Sequence, residues 1–457
     1  MASVARTLCR IKEDLKPFIS EESILDSCKE AKHKWRQCKL GPVETVHLFV
    51  VQVLNFNTAM THLRLVADAA VKAPAYCKAR MRLPLKVLES LLLKSSQAMR
   101  EAADDSAGAA GLWCGLRALL VDGSSTIAPD TPSSQKEFGQ PGACKAGCGF
   151  PIPKVLAMFD AFTGLIVQML AFPLCTHEQS KVWTLHPLLG EGDLLAGDRG
   201  FCSFAHLAML FCRNVHGLFR MHQRMLVDFR PHRKPRDKRA KNRRKGAPSS
   251  TFVRRLGKHD QVVRWQRPTK RPKWMTAEQY ALLPATLLVR ELRYRIARKG
   301  QRTLCVTIAT TLLDPALYPK EKIEALYDVR WTAETHFAEL KTTLKMRKVK
   351  SKTAQGVKKE LMVYALVYNL LHAVMAAAAL RQGVTPDRIS FVDTVRALLS
   401  ANLGEDLPDL VINPDRPGRH EPRVVKDFHD TYRKMVRPRA ELRKELWKPL
   451  KKKGVAP

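Results

Sequence analysis

The stretch LYDVRWTAETHFAELKTTLKM, residues 326–346, repeats its charged and aromatic side chains at helical intervals. At about 100° per residue, Tyr327, Arg330, Glu334 and Lys341 fall on one narrow stripe of a helix. We therefore predict one continuous helix that presents an acid, two bases and a phenol along its margin. The simpler alternative is a surface helix in which Arg330 and Glu334 form an ordinary i, i+4 pair. A neighbouring stripe is apolar and consists of Leu326, Ala333, Phe337, Leu340 and Leu344.

Two short apolar runs elsewhere in the chain end in aspartate. Asp122 closes the run in ALLVDGSS, and Asp198 closes the run in LLAGDRGF. A carboxylate at the end of a buried strand stays ionised only near a cation or good hydrogen-bond donors. Together with Glu334, the two aspartates form a set of oxygen ligands that suits Mg²⁺ or Mn²⁺. Two such ions, roughly 3.5–4 Å apart, would hold the attacking and leaving oxygens of a phosphoryl transfer.

Other aspartates compete for the same role. Asp160 lies in a predicted hairpin turn, where an aspartate normally hydrogen-bonds the backbone. Asp130 is a stronger rival to Asp122, and Asp122 is preferred because it directly follows the apolar run. Asp193 is the remaining competitor.

The charge of the chain indicates a polyanionic partner. Its 457 residues include 78 Lys or Arg against 43 Asp or Glu, a net charge of +35. Residues 228–273 alone carry 18 basic and 3 acidic residues, or +15. Nucleic acid is the first candidate, because basic side chains displace counterions from phosphates; an anionic membrane and a ribosomal partner follow. Arg243 and Arg244, in the densest part of this segment, are predicted DNA contacts.

Changes in pattern along the chain predict an α/β protein with helical flanks. Short apolar runs after residue 112 favour a mixed sheet with a hairpin at KVLAMFDAFTGLIVQMLAF and a helix capped by Ser203. Strand-like pieces after the basic run indicate a β-rich insertion. The predicted regions are 1–112, helical and DNA-binding; 113–212, the first catalytic part; 213–303, the basic β-rich insertion; 304–400, the second catalytic part with the Glu334 helix; and 401–457, a basic region of possible dimerisation.

The apolar stretch at residues 361–380 is long enough to span a membrane. It contains Asn369 and His372 and has no companion, so we predict a buried core helix and no membrane. The early charges of the N-terminus argue against a signal peptide, and we expect a cytoplasmic protein. The 11 cysteines are predicted to be free thiols; a structural metal at Cys144 and Cys148 is the weaker alternative.

Tyr327, Arg330, Glu334 and Lys341 match the Y-x2-R-x3-E-x6-K signature, and the chain thereby resembles the insertion-sequence-4-type DDE transposases. The blocks VDGSSTIAPDT, FDAFTG and GDRGF look like those around the two catalytic aspartates of that family. PAYCKARMRLPLKVL and ELMVYALVYNLL resemble its amino-terminal domain and its downstream helices, so the resemblance covers nearly the whole chain.

The resemblance implies a ribonuclease-H-like catalytic domain interrupted by the β-rich insertion. It implies Mg²⁺-dependent cut-and-paste transposition, often through a DNA hairpin, by a homodimer on paired DNA ends in the bacterial nucleoid. Asp122, Asp198 and Glu334 become the catalytic metal ligands, and Tyr327, Arg330 and Lys341 bind DNA, with Arg199 beside them. Trp265 or Trp274 would stack on a flipped base. The alternatives are a catalytically silent, domesticated DNA-binding protein and a metal-dependent endonuclease without strand transfer.

Overall fold

The computed structural model describes residues 19–66, 71–107, 112–225, 227–230, 246–296, 304–400, 408–413 and 435–452. Within them, one mixed sheet of nine strands forms the centre of the molecule. The strands are β1 (Ala118–Ser125), β2 (Lys154–Asp160), β3 (Ile166–Phe172), β4 (Leu194–Gly197), β5 (His216–Arg220), β6 (Ser249–Gly257), β7 (Asp260–Gln266), β8 (Thr286–Ile296) and β9 (Leu304–Thr310).

The helices precede, interrupt and follow the strands. They are α1 (Glu21–Glu30), α2 (Pro42–Leu54), α3 (Leu63–Val66), α4 (Ala73–Arg82), α5 (Leu85–Ala107), α6 (Pro132–Phe138), α7 (Gln179–Val182), α8 (Phe204–Phe211), α9 (Ala277–Ala281), α10 (Lys320–Val329), α11 (Thr332–Ala338), α12 (Ala354–Gln382), α13 (Phe391–Ser400) and α14 (Arg439–Lys452). A π-helical segment, Glu339–Thr343, follows α11, and 3₁₀ turns cover Trp183–Leu188 and Pro386–Arg388.

The strand order is β3-β2-β1-β4-β5-β9-β8-β7-β6. β1 pairs antiparallel with β2 and parallel with β4, and β4 pairs parallel with β5. The strands β6–β9 continue the same sheet antiparallel from the edge of β5. β5 therefore pairs with the strands of the first predicted catalytic part, although it lies within residues 213–303, the predicted insertion. The division into domains stays a prediction.

The two faces of the sheet bury different cores. Since side chains alternate along a strand, Leu120 and Ala196 face one core and Val121 and Leu195 face the other. We call the first the helical face, because α1, α2, α5 and α10–α13 contribute to it. The second, the insertion face, is covered by α8 and by residues of β7 and β8. The described N-terminal helices share the core of the helical face rather than enclosing only one of their own.

The helix α12 crosses the helical face beside β3. It is the one helix in the described part of the chain that is long and apolar enough to span a bilayer, and 78% of its most apolar window is buried within the protein. The predicted core helix is confirmed. Its Asn369 side chain donates to the Ile166 carbonyl at 2.8 Å and accepts from the Ile166 N–H at 2.7 Å. This amide therefore pairs with the outer edge of the β2–β3 hairpin, which no other strand among the described residues covers.

Several local predictions are confirmed. The hairpin is β2 and β3, paired antiparallel, and Ser203 caps α8 by accepting from the His206 N–H. The described cysteines are free thiols.

Two predictions about the strand and helix that carry the carboxylates are wrong. β1 does not end at Asp122 but continues to Ser125, because residues 122–125 still pair with β2. The stretch 326–346 is not one continuous helix. It tightens at Arg330–Glu334, where backbone N–H groups donate to carbonyls three residues back, and it then widens into the π-helical segment. The regular stripe expected from 100° spacing is therefore interrupted twice.

Replacing Asn369 by leucine is expected to destabilise the protein. The substitution leaves the buried N–H and carbonyl of Ile166 unpaired, which costs about 2–4 kcal/mol of the free energy of unfolding. Urea denaturation measures the change. The matched control is Leu380→Asn on the exposed end of the same helix, expected to stay within about 0.5 kcal/mol of the parent. Equal stabilities for the two variants would show that the amide does not anchor the hairpin.

Candidate active site

The register of three parallel strands aligns two acids and a base. Val121 pairs with Gly197, and Gly197 pairs with Phe219. The next residue on each chain is Asp122, Asp198 or Arg220. Neighbouring strands lie about 4.8 Å apart, so the three residues form one row across the sheet. Their alternation places them on the helical face, with Leu120, Ala196 and Leu218.

The third acid reaches this row from the helices above it. α11 packs on β1, and the Arg330 side chain lies between Asp122 of β1 and Glu334 of α11. Its Nη1 is 4.0 Å from Asp122 Oδ2, and its Nη2 is 3.9 Å from Glu334 Oε1. Arg330 is only 3% exposed, and its guanidinium carbon lies 4.8 Å from the centre of the Trp331 ring. A buried guanidinium thus connects the sheet aspartate to the helix glutamate.

The three acids influence one another electrostatically. Burial raises the pKa of Asp122 to about 6, and the negative charges of Asp198 and Glu334 add to the rise. A hydrogen bond from the Gly123 N–H and the charge of Arg330 oppose it. Burial also raises the pKa of Tyr327, and the charge of Asp198 contributes to that rise while Arg330 and Arg220 oppose it. The acids therefore form one site with Tyr327 and two arginines.

The donor set fits a hard divalent cation. Asp198 Oδ1 is buried and accepts no hydrogen bond, an uncommon state for a carboxylate oxygen. The other oxygens come from Asp122 and Glu334, and oxygen-only sets suit Mg²⁺ or Mn²⁺. Glu334 remains 56% exposed. Among the described residues, the three potential ligands whose atoms lie within 4.8 Å of one another are a different group.

The rival aspartates have structural partners. Asp160 accepts from the N–H groups of Phe162 and Thr163 in the hairpin turn. Asp193 accepts from the Gly190 N–H, and Asp130 accepts from Gln135 Nε2 and Arg439 Nη1. Each is satisfied by the protein itself, unlike Asp198.

The predicted DNA contacts differ in accessibility. Arg199 is exposed beside Asp198, and Lys341 is partly exposed; burial and the charge of Arg347 lower the pKa of Lys341. Tyr327 and Arg330 are buried. The prediction that both lie on an exposed margin is therefore wrong, because this part of the helical segment packs against the sheet.

The two tryptophans predicted to stack on a base, Trp265 and Trp274, belong to the insertion face of the sheet. Trp265 is 1% exposed in the core of the insertion face, and its indole N–H donates to Glu291 Oε1 at 3.0 Å. Its expected role as a stacking platform is corrected to that of a core residue, because both its ring and its polar atom are already occupied. Trp274 packs partly buried against the same core. Arg243 and Arg244 lie outside the described residues.

Sequence reasoning missed two residues of the site. Arg220 is not among the predicted site residues, and its position at the end of β5 is the available signal. Trp331 lies next to Arg330 in the motif, where its ring stacks on the guanidinium. The positions of both residues in the site depend on strand register or on packing, which a single sequence does not show.

Comparison with known proteins identifies the family. Residues 113–370, more than half of the chain, match the family model described as the transposase DDE domain. The chain belongs to this family. It is therefore a DNA transposase, an enzyme of the DDE type. The transposase is 26% identical over 377 residues to the transposase InsG for insertion sequence element IS4 of Escherichia coli strain K12. The alignment covers 78% of this chain and 77% of the relative.

A solved structure also resembles the transposase. It is the cryo-EM structure of a piggyBac transposase synaptic complex with hairpin DNA, at 10% sequence identity and a TM-score of 0.41. The similarity covers 86% of this chain and 78% of the other.

Replacing Asp122 by asparagine is expected to stabilise the protein in chelator. The folded-state pKa near 6 exceeds the ordinary value of 3.8, so ionisation costs more in the folded than in the unfolded chain. That cost develops as the pH rises from about 4 to 6 and is complete above it. The asparagine variant should therefore gain about 1–3 kcal/mol of unfolding free energy near pH 7.5. The gain should vanish near pH 4.

Urea unfolding at both pH values measures this effect. Asp130→Asn is the matched control, and it should gain nothing because it weakens the contact with Arg439 at 2.8 Å. A loss of stability in Asp122→Asn near pH 7.5 would contradict the assignment of a strained, buried carboxylate.

Proposed function

We propose that this transposase cuts DNA at the ends of its element and joins them to target DNA, with Asp122, Asp198 and Glu334 as the metal-binding carboxylates. One observation supports this most. The two aspartates belong to adjacent positions on parallel strands, and Arg330 approaches both Asp122 and Glu334 within 4.0 Å. This arrangement supports one site for the three acids on the helical face, just beyond the last pair of β1 with β4.

The topology supports a ribonuclease-H-like catalytic domain. Its first five strands have the order β3-β2-β1-β4-β5, and β2 is the one among them that runs opposite to β1. The two candidate aspartates come from β1 and from the end of β4, which are neighbours in that order. In this proposal β6–β8 are the insertion between the second aspartate and the glutamate.

The residues around the acids have different roles in this proposal. Arg330, buried between Asp122 and Glu334, fixes the orientation of both carboxylates. Tyr327 packs beneath it and keeps water from that side. The exposed Arg199 and the partly exposed Lys341 are accessible to DNA, and in this proposal they contact phosphates and hold the DNA in register. No side chain serves as a covalent nucleophile.

Two divalent ions held by the three carboxylates would supply activation of water and neutralisation of charge on the reacting phosphate. The freed 3′-hydroxyl of the element would then be the nucleophile toward target DNA. The excess of basic residues, +35 overall, supports long stretches of phosphate contact. We further propose a homodimer on paired ends, acting in the bacterial cytoplasm at the nucleoid.

Replacing Glu334 by glutamine is expected to abolish cleavage while DNA binding survives. The amide keeps the shape of the side chain but not the charge that holds a cation. Cleavage of element-end DNA in Mg²⁺ should fall at least about 1000-fold, equivalent to about 4 kcal/mol of transition-state stabilisation. The dissociation constant for the same DNA should change less than about threefold. Glu321→Gln, on the exposed side of α10, is the matched control and should cleave normally.

The same assay separates the alternatives. Joined donor–target products distinguish a transposase from an endonuclease that only cuts. A parent protein that binds the ends but never cuts them would identify a silent DNA-binding protein. Cleavage that continues in chelator would exclude the carboxylates as metal ligands.

A further inference from the structure

We propose that His336, Glu339 and His372 form a second metal site, selective for a transition ion of the Zn²⁺ class. The site goes beyond the proposed function, since none of its residues belongs to the three acids of the cleavage centre. One ligand atom from each residue lies within 4.8 Å of the other two. His336 belongs to α11, Glu339 begins the π-helical segment, and His372 lies on α12.

The distances approach those of a bound ion. His336 Nδ1 is 3.8 Å from Glu339 Oε2, and His372 Nε2 is 3.9 Å from the same oxygen. Ligand atoms about 2.1 Å from a tetrahedral zinc ion are roughly 3.4 Å apart. A contraction of a few tenths of an ångström along each edge would therefore complete the coordination, which is a smaller change than a rotamer flip.

One ligand has an unsatisfied polar atom. His372 Nε2 is buried and makes no hydrogen bond with any of the described residues, and its side chain is only 10% exposed. Glu339 Oε2 is its nearest charged neighbour. A buried ring nitrogen without a partner is unfavourable, and coordination of an ion between it and the carboxylate would satisfy it.

A tyrosine hydroxyl lies against the other two ligands. Tyr368 donates to Glu339 Oε2 at 2.9 Å, and its oxygen lies 2.7 Å from His336 Nδ1. The second lone pair of Oε2 stays available to an ion, so the hydroxyl would orient the carboxylate, whereas His336 Nδ1 would exchange its contact with the hydroxyl for the ion. Tyr368 is itself fully buried on α12, so it also links the two helical segments that carry the ligands.

The three ligands lie in a pocket that is open on one side. The hairpin turn at Gly164 covers the two rings, and a Cβ there would lie 3.0 Å from His372 Cε1 and 3.1 Å from His336 Cε1. Phe159 and Phe391 pack beside the histidines. Glu339 is the most exposed of the three ligands, at 21% of its side chain, which leaves a path for an ion.

The donor types separate this site from the cleavage centre. Imidazole nitrogens favour zinc-like ions, whereas oxygen-only sets favour Mg²⁺ or Mn²⁺. The two sites are nevertheless coupled by the chain, since His336 lies two residues beyond Glu334 on α11. An ion at the second site would tie α11 and the π-helical segment to α12, and so hold the glutamate helix against the sheet.

Titration of the metal-free transposase with Zn²⁺, in excess Mg²⁺, tests the proposal by calorimetry. We expect one ion per chain. His372→Gln and Glu339→Gln should each weaken binding more than about 100-fold, since loss of even an outer partner costs 10–100-fold. Tyr368→Phe should weaken it about 10–100-fold. His62→Gln, at an exposed histidine elsewhere, should bind normally.

Two further variants make the result independent of the cleavage proposal. Asp198→Asn should keep the Zn²⁺ site. If Asp198→Asn loses Zn²⁺ binding while His372→Gln retains it, the ion lies at the cleavage carboxylates and the proposal is overturned. Cys144→Ser should also keep it, and Co²⁺ substitution should give a spectrum without thiolate charge transfer. Far-ultraviolet circular dichroism verifies that each variant is folded. Unchanged one-to-one binding in Glu339→Gln, or no binding by the parent, would likewise overturn it.

Discussion

The candidate site depends on the interaction of the buried Arg330 guanidinium with two carboxylates. The guanidinium lies within about 4 Å of one acid from the sheet and one from the helix. Neither acid is fully buried, but the cation between them is. A buried charge without partners is strongly destabilising, and Arg330 has these two carboxylates beside it, although its charge offsets only part of the cost of burying Asp122. The glutamate helix is thereby fixed above β1.

The sheet supplies the other half of this constraint. Parallel pairing of β1, β4 and β5 fixes Asp122, Asp198 and Arg220 in one row, since a slip of one residue would turn a side chain to the opposite face. Burial on that face raises the pKa of Asp122. The fold thus holds an unfavourable set of like charges in place, which is the arrangement that a divalent cation would relieve.

The helical segment above the sheet is irregular where it carries the candidate site residues. Its backbone tightens around Arg330 and widens into a π-helical segment at Glu339. π-helical turns are rare and are often found at functional sites. In this protein the tightened stretch carries Arg330 and Glu334, and the π-helical segment begins at Glu339, which lies with His336 beside His372 of α12.

The sequence by itself determined the family signature, the alternation of strands, the hairpin, the cap at Ser203 and the buried character of α12. These follow from local spacing and from apolar patterns, which a single chain displays directly. It also singled out the three acids, because two follow apolar runs and the third lies in a helical motif. Their assignment as metal ligands remains a prediction.

Only the tertiary structure decided which side chains are buried and what they face. Trp265 is a core residue because β7 turns it to the insertion face, and Arg330 is buried because α11 packs on β1. The cluster joins His336 and Glu339, which are three positions apart, to His372, 33 positions beyond Glu339, so no local pattern shows the complete group. Register, face and long-range packing depend on pairings between distant segments, and these are fixed when the sheet forms rather than by any one stretch.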